Sequence, residues 1–438
     1  MTGSAVMDPA VTGSVLSPGL EALRRDVVAT ASLPLAGATT LPAAVYTDEA
    51  WFEFERQAVF EAGWMCVAHV SQVPAAGSYL AVDLLGEPMV VVRDRAGTIR
   101  VLSRVCAHRA MDIMPPGGEV PPKGQRSCLT CPYHAWTYNL DGSLRGCAQM
   151  QDAAGFIKAD WPLQAFRSEV WQGFVFVNLD ERAAPLADHY ADFAAAIAPW
   201  DIAGMEIAIE MTWDCTFNWK VMVENWMESY HHIGAHARTL NLTMPGEKTW
   251  SEAEHPHFIK AHLPYTAELR AALAAAAAGQ GPKVPGFAAI PGLADEEAHE
   301  WGLYLGYPCF MLLTTHDRVI WYRLLPDGAE RCRLLTTTLV RPEAKQAPDW
   351  AEALASETDM LRAFHTEDMA VNAAVQRGLR SRKARRGRLS HLEEPVWLIQ
   401  RYLAARSQGR YPTPDRRAPF YGPKATPDET RKISPTSI

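Results

Sequence analysis

The sequence predicts an α+β chain in which a small all-β domain precedes a larger domain of mixed helices and strands. Three observations point there. Short alternating segments divided by Gly and Pro run up to Leu179, an acidic and alanine-rich stretch begins at Asp180, and helical stripes beyond it flank a strand-rich block from Gly302 to Val340. These set an N-terminal segment with a helix at 1–62, the β domain at 63–179 and the second domain at 180–438.

In chain order, residues 1 to about 20 are small, polar and proline-containing, which predicts a loosely attached start. Trp51, Phe52, Phe54 and Phe60, interleaved with charges, predict a short helix over Asp48 to Ala62. Tyr79 to Val92, broken at Pro88, and Ile99 to Val105 alternate like an antiparallel sheet, and Gly173 to Leu179 closes the region with another strand. The segment from Asn218 predicts a helix ending near Gly234. Between Leu269 and Gly292 a run of alanines followed by Gly and Pro predicts a short helix and a surface loop, and Pro348 to Leu379 predicts a long helix. No internal repeat is evident.

Composition narrows the classes. With 438 residues, 21% charged and 48% hydrophobic, the chain is that of an ordinary soluble protein with well-buried cores. A formal charge of -8 argues against nucleic acid as the main partner, and no apolar run is long enough to span a bilayer. The eight cysteines are scattered rather than regularly spaced, which suits a reducing cytoplasm, and the N-terminus does not read as a secretory signal. Arg24-Arg25 is followed at once by Asp26, so it does not read as a twin-arginine signal either.

The chemistry lies in two constellations. Cys106-x-His108 and Cys131-x-x-His134 are spaced to hold a Rieske-type 2Fe-2S cluster, with two thiolates on one iron and two imidazoles on the other. A structural zinc site is the alternative, since zinc also accepts two Cys and two His, and Cys128 with Cys131 forms a second C-x-x-C. The second pair runs into Thr137 to Ser143, a strand and an Asp-Gly turn, whereas a zinc finger more often carries its histidines on a helix. Further along, Glu224, Glu228 and His231 fall at i, i+4 and i+7 of the expected helix, and His236 lies just beyond its end. Asp368 sits within the apolar stripe Leu361, Phe364, Val371, Val375 and Leu379, so a metal or a buried Arg is expected opposite it. Together His231, His236 and Asp368 make a two-histidine, one-carboxylate set of the kind that leaves positions open on Fe(II) for dioxygen. His232, rotated away on the helix, ranks behind them.

Cys106-Ala107-His108-Arg109 and Cys131-Pro132-Tyr133-His134 resemble the cluster loops of the Rieske non-haem iron oxygenases. Glu224-Asn225-x-x-Glu228-x-Tyr230-His231-x-x-x-x-His236 and Glu367-Asp368 are similar to the mononuclear iron motif of that family, the aromatic ring-hydroxylating dioxygenase alpha subunits. Three departures stand out: Ala110 and Ala135 replace common glycines, and the 109–130 segment is long and rich in Pro and Gly, predicting an extended surface loop in which Cys128 has no obvious ligand role.

The resemblance implies a helix-grip catalytic domain, a curved sheet around a long helix, with pocket residues drawn from Tyr304 to Tyr322. It implies one 2Fe-2S cluster and one mononuclear Fe(II) per subunit, with O2 as co-substrate. It also implies a role for Asn225 and Glu228 at the catalytic centre, with Glu228 bridging the cluster of one subunit to the iron of the next, and hence a homotrimer. On the residues alone, Glu228 is a simple orienter of His231. Glutamate there resembles the branch acting on choline, betaines and carnitine; hydroxylation or demethylation of such a compound is the main expectation, aromatic ring hydroxylation or cis-dihydroxylation the alternative, and a non-catalytic Rieske carrier the remote one. Any of Trp213, Trp219, Trp226, Trp250, Trp301 and Trp321 can belong to an ammonium cage or simply to the core. A separate flavin-dependent NAD(P)H reductase, with or without a ferredoxin, is expected because the chain has no dinucleotide-binding glycine fingerprint. The basic run from Arg377 to Arg388 reads as a solvated helix end, or as a docking face for an acidic electron-transfer partner.

Overall fold

A seven-stranded antiparallel sheet forms the frame of the larger domain, in the order Glu206–Cys215, Cys332–Val340, Val319–Pro326, Phe310–Thr314, Glu300–Gly306, Phe258–Pro264 and Trp250–Ser251. The computed structural model describes residues 16–413. Side-chain alternation sorts the central strands cleanly. Trp301, Leu303, Leu313 and Tyr322 face the helices, while Tyr304, Phe310, Leu312 and Trp321 face the other way into a second core. Both faces are covered, so these strands read as nearly unbroken apolar runs.

Helices Trp219–Met227, Trp350–Leu379 and Glu394–Arg406 cover one face. The second core joins the opposite face to a three-stranded sheet, Met65–His69, Phe174–Asn178 and Arg167–Trp171, through Phe174, Phe176 and Trp171. The β domain continues as a sheet ordered Ile99–Ser103, Glu87–Arg93, Ser78–Leu84, Lys123–Gln125, and a small sheet of Leu129–Thr130, Thr137–Tyr138 and Leu144–Gly146. An α+β chain with an all-β first domain is thus what forms.

Several local expectations need correction. Pro88 does not break the strand; it lies inside Glu87–Arg93, and the turn falls at Leu85-Gly86, where φ is 53° and 89°. The long segment after Arg109 is not only loop, because Lys123–Gln125 pairs with Ser78 to Leu80 and pins it as an edge strand. The expectation of a loose start falls on residues 1–15, outside the described residues, but Ser17 caps a helix opening at Pro18 that packs on Glu394–Arg406. Much of the basic run is tied down: Arg380 pairs with Glu330, Arg386 with Asp26, and Arg388 donates to the carbonyls of Gly37 and Ala36. Among the described residues no helix is long and apolar enough to cross a membrane.

Candidate metal centres

The two Cys/His loops share one backbone frame. In each, the cysteine N–H donates to the carbonyl five residues on, Cys106 to Met111 at 2.9 Å and Cys131 to Trp136 at 2.8 Å. Its carbonyl accepts from the residue four on, Ala110 at 3.0 Å and Ala135 at 3.1 Å. That frame needs a left-handed residue in the fourth place, where φ is 54° at Ala110 and 59° at Ala135. Glycine takes such a conformation freely and alanine does not.

Both cysteines are buried, and burial together with the adjoining Cys106 thiol pushes the Cys131 thiol above its ordinary value. The Tyr138 hydroxyl accepts from the Ala107 N–H at 3.1 Å and lies 3.1 Å from Cys106 Sγ. His108 and His134 meet with ring centroids 4.7 Å apart, and His108 stacks on Trp136. His108 Nδ1 is buried and has no hydrogen-bond partner among the described residues, while His134 is exposed. Two neighbouring thiols, two adjacent imidazoles and an orphaned ring nitrogen are a donor set that fits a Rieske cluster.

The second centre begins at Asn218, which caps the Trp219–Met227 helix and whose own N–H donates to Gln376 Oε1 at 2.9 Å, fastening this helix to Trp350–Leu379. Lys220 and Glu55, both buried, pair at 2.6 Å beneath it. The helix does not run on to Gly234. It stops at Met227, and Glu228 is extended, with φ -116° and ψ 148°, before a short 3-10 turn over Tyr230–Ile233. The i, i+4, i+7 face is therefore not what gathers these residues. Gly246 packs so close that a Cβ there would lie 2.2 Å from the Ser229 carbonyl oxygen, which fixes the course of the unwound segment.

Glu228 Oε1 lies 2.8 Å from His231 Nδ1, and Oε2 accepts from the His231 N–H at 3.1 Å. Glu367 Oε2 does the same for His236 Nδ1 at 2.7 Å and accepts from Thr239 Oγ1 at 2.8 Å. Each imidazole thereby aims Nε2 at Asp368 Oδ1, at 3.0 Å from His236 and 3.6 Å from His231. The three donors lie within 4.8 Å of one another. Burial opposes charge on both His236 and Asp368, but their mutual contact outweighs it, raising the imidazole and lowering the carboxyl. Among the described residues no arginine pairs with Asp368; His231 and His236 face it. Two imidazoles oriented through Nδ1 and one buried carboxylate fit a divalent iron with open positions.

His232 turns away and contacts the Met244 carbonyl at 3.0 Å. Glu224 sits a helical turn back, its carboxylate accepting from the Tyr46 hydroxyl at 2.7 Å, and burial raises it to about 7. Asn225 accepts from Asn372 at 3.2 Å and reaches the wall of a narrow cavity of about 40 Å³ beside the three donors. Trp226, Trp301, Tyr322 and Phe364 supply the cavity's aromatic surface. Of the expected range, Tyr322 and Leu313 line it, but Tyr304 lies on the other face of the sheet. Trp226 and Trp301 are the only lining members of the six tryptophans: Trp219 donates to Glu55, Trp250 stacks on His262, Trp321 is in the second core, and Trp213 stacks behind on His365. Glu367 and His365 had no assigned role in the sequence; the only signal for either was its place beside Asp368.

Two family models match in tandem: the Rieske [2Fe-2S] domain over residues 63–165 and the ring hydroxylating alpha subunit catalytic domain over residues 201–409. The chain belongs to the Rieske ring-hydroxylating oxygenase family. The carnitine monooxygenase oxygenase subunit of Escherichia coli K12 is 35% identical over 201 residues, 45% of this chain and 52% of that protein. The matched stretch thus covers about half the length of such relatives. Chloroplastic choline monooxygenase of Arabidopsis thaliana is 26% identical over 377 residues, 83% of this chain and 82% of that one. Among solved structures, a quaternary ammonium Rieske monooxygenase superimposes with a TM-score of 0.71 at 25% identity, covering 88% of this chain and 98% of the other. Naphthalene 1,2-dioxygenase from Rhodococcus shares the fold, with a TM-score of 0.70 at 20% identity over 90% of this chain and 99% of its own.

Proposed function

We propose that this oxygenase-family chain is the terminal component of a multicomponent system that hydroxylates or demethylates a small quaternary ammonium compound. One observation carries the reading: the Nε2 atoms of His231 and His236 and the Asp368 carboxylate converge on an aromatic-walled cavity. In this reading they hold one mononuclear Fe(II), and Cys106, His108, Cys131 and His134 hold one 2Fe-2S cluster. When bound, these groups supply electron storage and dioxygen activation.

The chain's own residues do the rest. Glu228 and Glu367 keep the imidazole protons on Nδ1, so that both Nε2 lone pairs point inward. Trp226, Trp301 and Phe364 line the cavity with aromatic surface that attracts a methylated ammonium group and keeps water from it. The similar proteins named for carnitine, glycine betaine and choline support this substrate class.

Electrons come from NAD(P)H through a flavin-dependent reductase, with or without a ferredoxin. Exposed Tyr133 and Trp161 flank the cluster loops, and exposed Tyr230, Ile233 and Leu242 flank Glu228. Apolar surface beside both centres supports a cyclic homotrimer in which Glu228 sits between the cluster of one copy and the iron of the next. Eight cysteines without a disulfide among them suit the cytoplasm.

The test is oxygen and NADH consumption by anaerobically reconstituted protein with a surrogate reductase, offering carnitine, betaines and choline against simple aromatic acids. Product from an ammonium compound supports the reading. Turnover with aromatic acids alone overturns it.

A further inference from the structure

One polar group in the cavity wall has no use in the metal reading. His365, one turn before Asp368 on the Trp350–Leu379 helix, is 1% exposed. Its Nδ1 lies 2.8 Å from the Leu361 carbonyl oxygen. A carbonyl only accepts, so Nδ1 carries the proton, and in the neutral ring Nε2 is left as a lone pair. That nitrogen is buried and among the described residues meets no donor. Trp213 and Tyr322 stack against the ring at 5.4 Å and 5.5 Å, so it is held where it is. The Tyr322 hydroxyl, fully buried, meets the Trp226 indole, which can only donate, and among the described residues its own proton finds no acceptor. A buried imidazole lone pair and a hydroxyl proton both left unserved on stacked rings call for a partner, and at a cavity that partner is a ligand or water.

The remainder of the wall is equally informative. Among the described residues neither lysine nor arginine lines the cavity. The nearby buried Arg318 is already engaged by Asp317 at 2.7 Å and Glu357 at 2.8 Å. A substrate carboxylate would have no cation to meet.

We propose that His365 Nε2 and the Tyr322 hydroxyl together bind a hydroxyl group of the substrate, which donates to the first and accepts from the second. The substrate class is a hydroxyl-bearing ammonium compound without a carboxylate. The cationic half of this statement rests on the function proposed above; the hydroxyl half stands on the two orphaned groups.

Equilibrium binding to the iron-loaded enzyme under argon, read by tryptophan fluorescence, tests it with matched pairs: choline against ethyltrimethylammonium, and benzyl alcohol against toluene, with glycine betaine as the carboxylate. Choline is expected to bind about tenfold more tightly than ethyltrimethylammonium. His365→Leu and Tyr322→Phe should each reduce that ratio to near one, with ethyltrimethylammonium affinity little changed, and His365→Gln, which keeps an acceptor, should restore part of it. Tyr322→Phe removes a single oxygen and keeps the test decisive if His365→Leu folds poorly. Equal affinities within both pairs, a ratio untouched by both variants, or tightest binding of glycine betaine would overturn the inference. A hydroxyl preference only in the benzyl pair, lost in His365→Leu, sustains the hydroxyl site and overturns the ammonium reading instead.

Discussion

Cys106, His108, Cys131 and His134 meet from two tight turns, each ligand two or three residues from its mate, on a face where His134 is open to solvent. His231, His236 and Asp368 meet from an unwound helix end and a helix 132 residues further on, and His236 and Asp368 are buried. The first site is held by backbone hydrogen bonds that the loops make to themselves. The second is held by carboxylates, Glu228 and Glu367, that clamp side chains onto one another. A local frame tolerates an imperfect residue at modest cost, whereas a long-range constellation depends on each buried group that aims it.

The sharpest way to break this contrast is Asp368→Ala. It should remove the mononuclear iron and lower turnover by about a thousandfold or more, while the visible absorption of the cluster stays intact. Iron analysis with an absorption spectrum checks this, and equal loss of both signals would show the centres are not independent. Glu228→Gln keeps the shape of the clamp but not its charge. Both metals should remain bound, with turnover falling about 10- to 100-fold; normal coupled turnover would remove Glu228 from the electron path.

Glu224 sharpens the contrast further, because a buried carboxyl raised to about 7 by burial penalises the folded state once it ionises. The folded form binds the extra proton between the ordinary carboxylate value of 4.5 and about 7, so stability falls as pH rises through that window. Glu224→Gln should match the parent at pH 4.5 and exceed it by about 2 kcal/mol at pH 8 in denaturant titrations. The smallest effect belongs to the loops. Ala110→Gly and Ala135→Gly, each relieving a left-handed alanine, should leave the cluster spectrum unchanged and stabilise by about 1 kcal/mol or less. Destabilisation by either would mean the frame is not strained there.

The cluster loops were legible in the sequence because their chemistry is local: Cys-x-His and Cys-x-x-His spacing fixes which donors share a turn, whatever surrounds them. Strand-type apolar runs likewise exposed the block from Gly302 to Val340, and the helical period exposed the apolar stripe around Asp368, since both follow from backbone geometry. His231, His236 and Asp368 could be named because a family motif joins residues that spacing cannot join. The helix expected to carry Glu228 and His231 on one face ends at Met227 instead, and the segment beyond it packs at Ser229 against Gly246, a contact between residues that local helical period does not reveal. Glu367 as the partner of His236, the turning of Tyr304 away from the wall, and the His365 Nε2 left without a donor among the described residues were likewise beyond sequence reading. Each depends on which residues distant in the chain come to lie within hydrogen-bond or van der Waals reach, and only the packing of the sheet against its helices settles that.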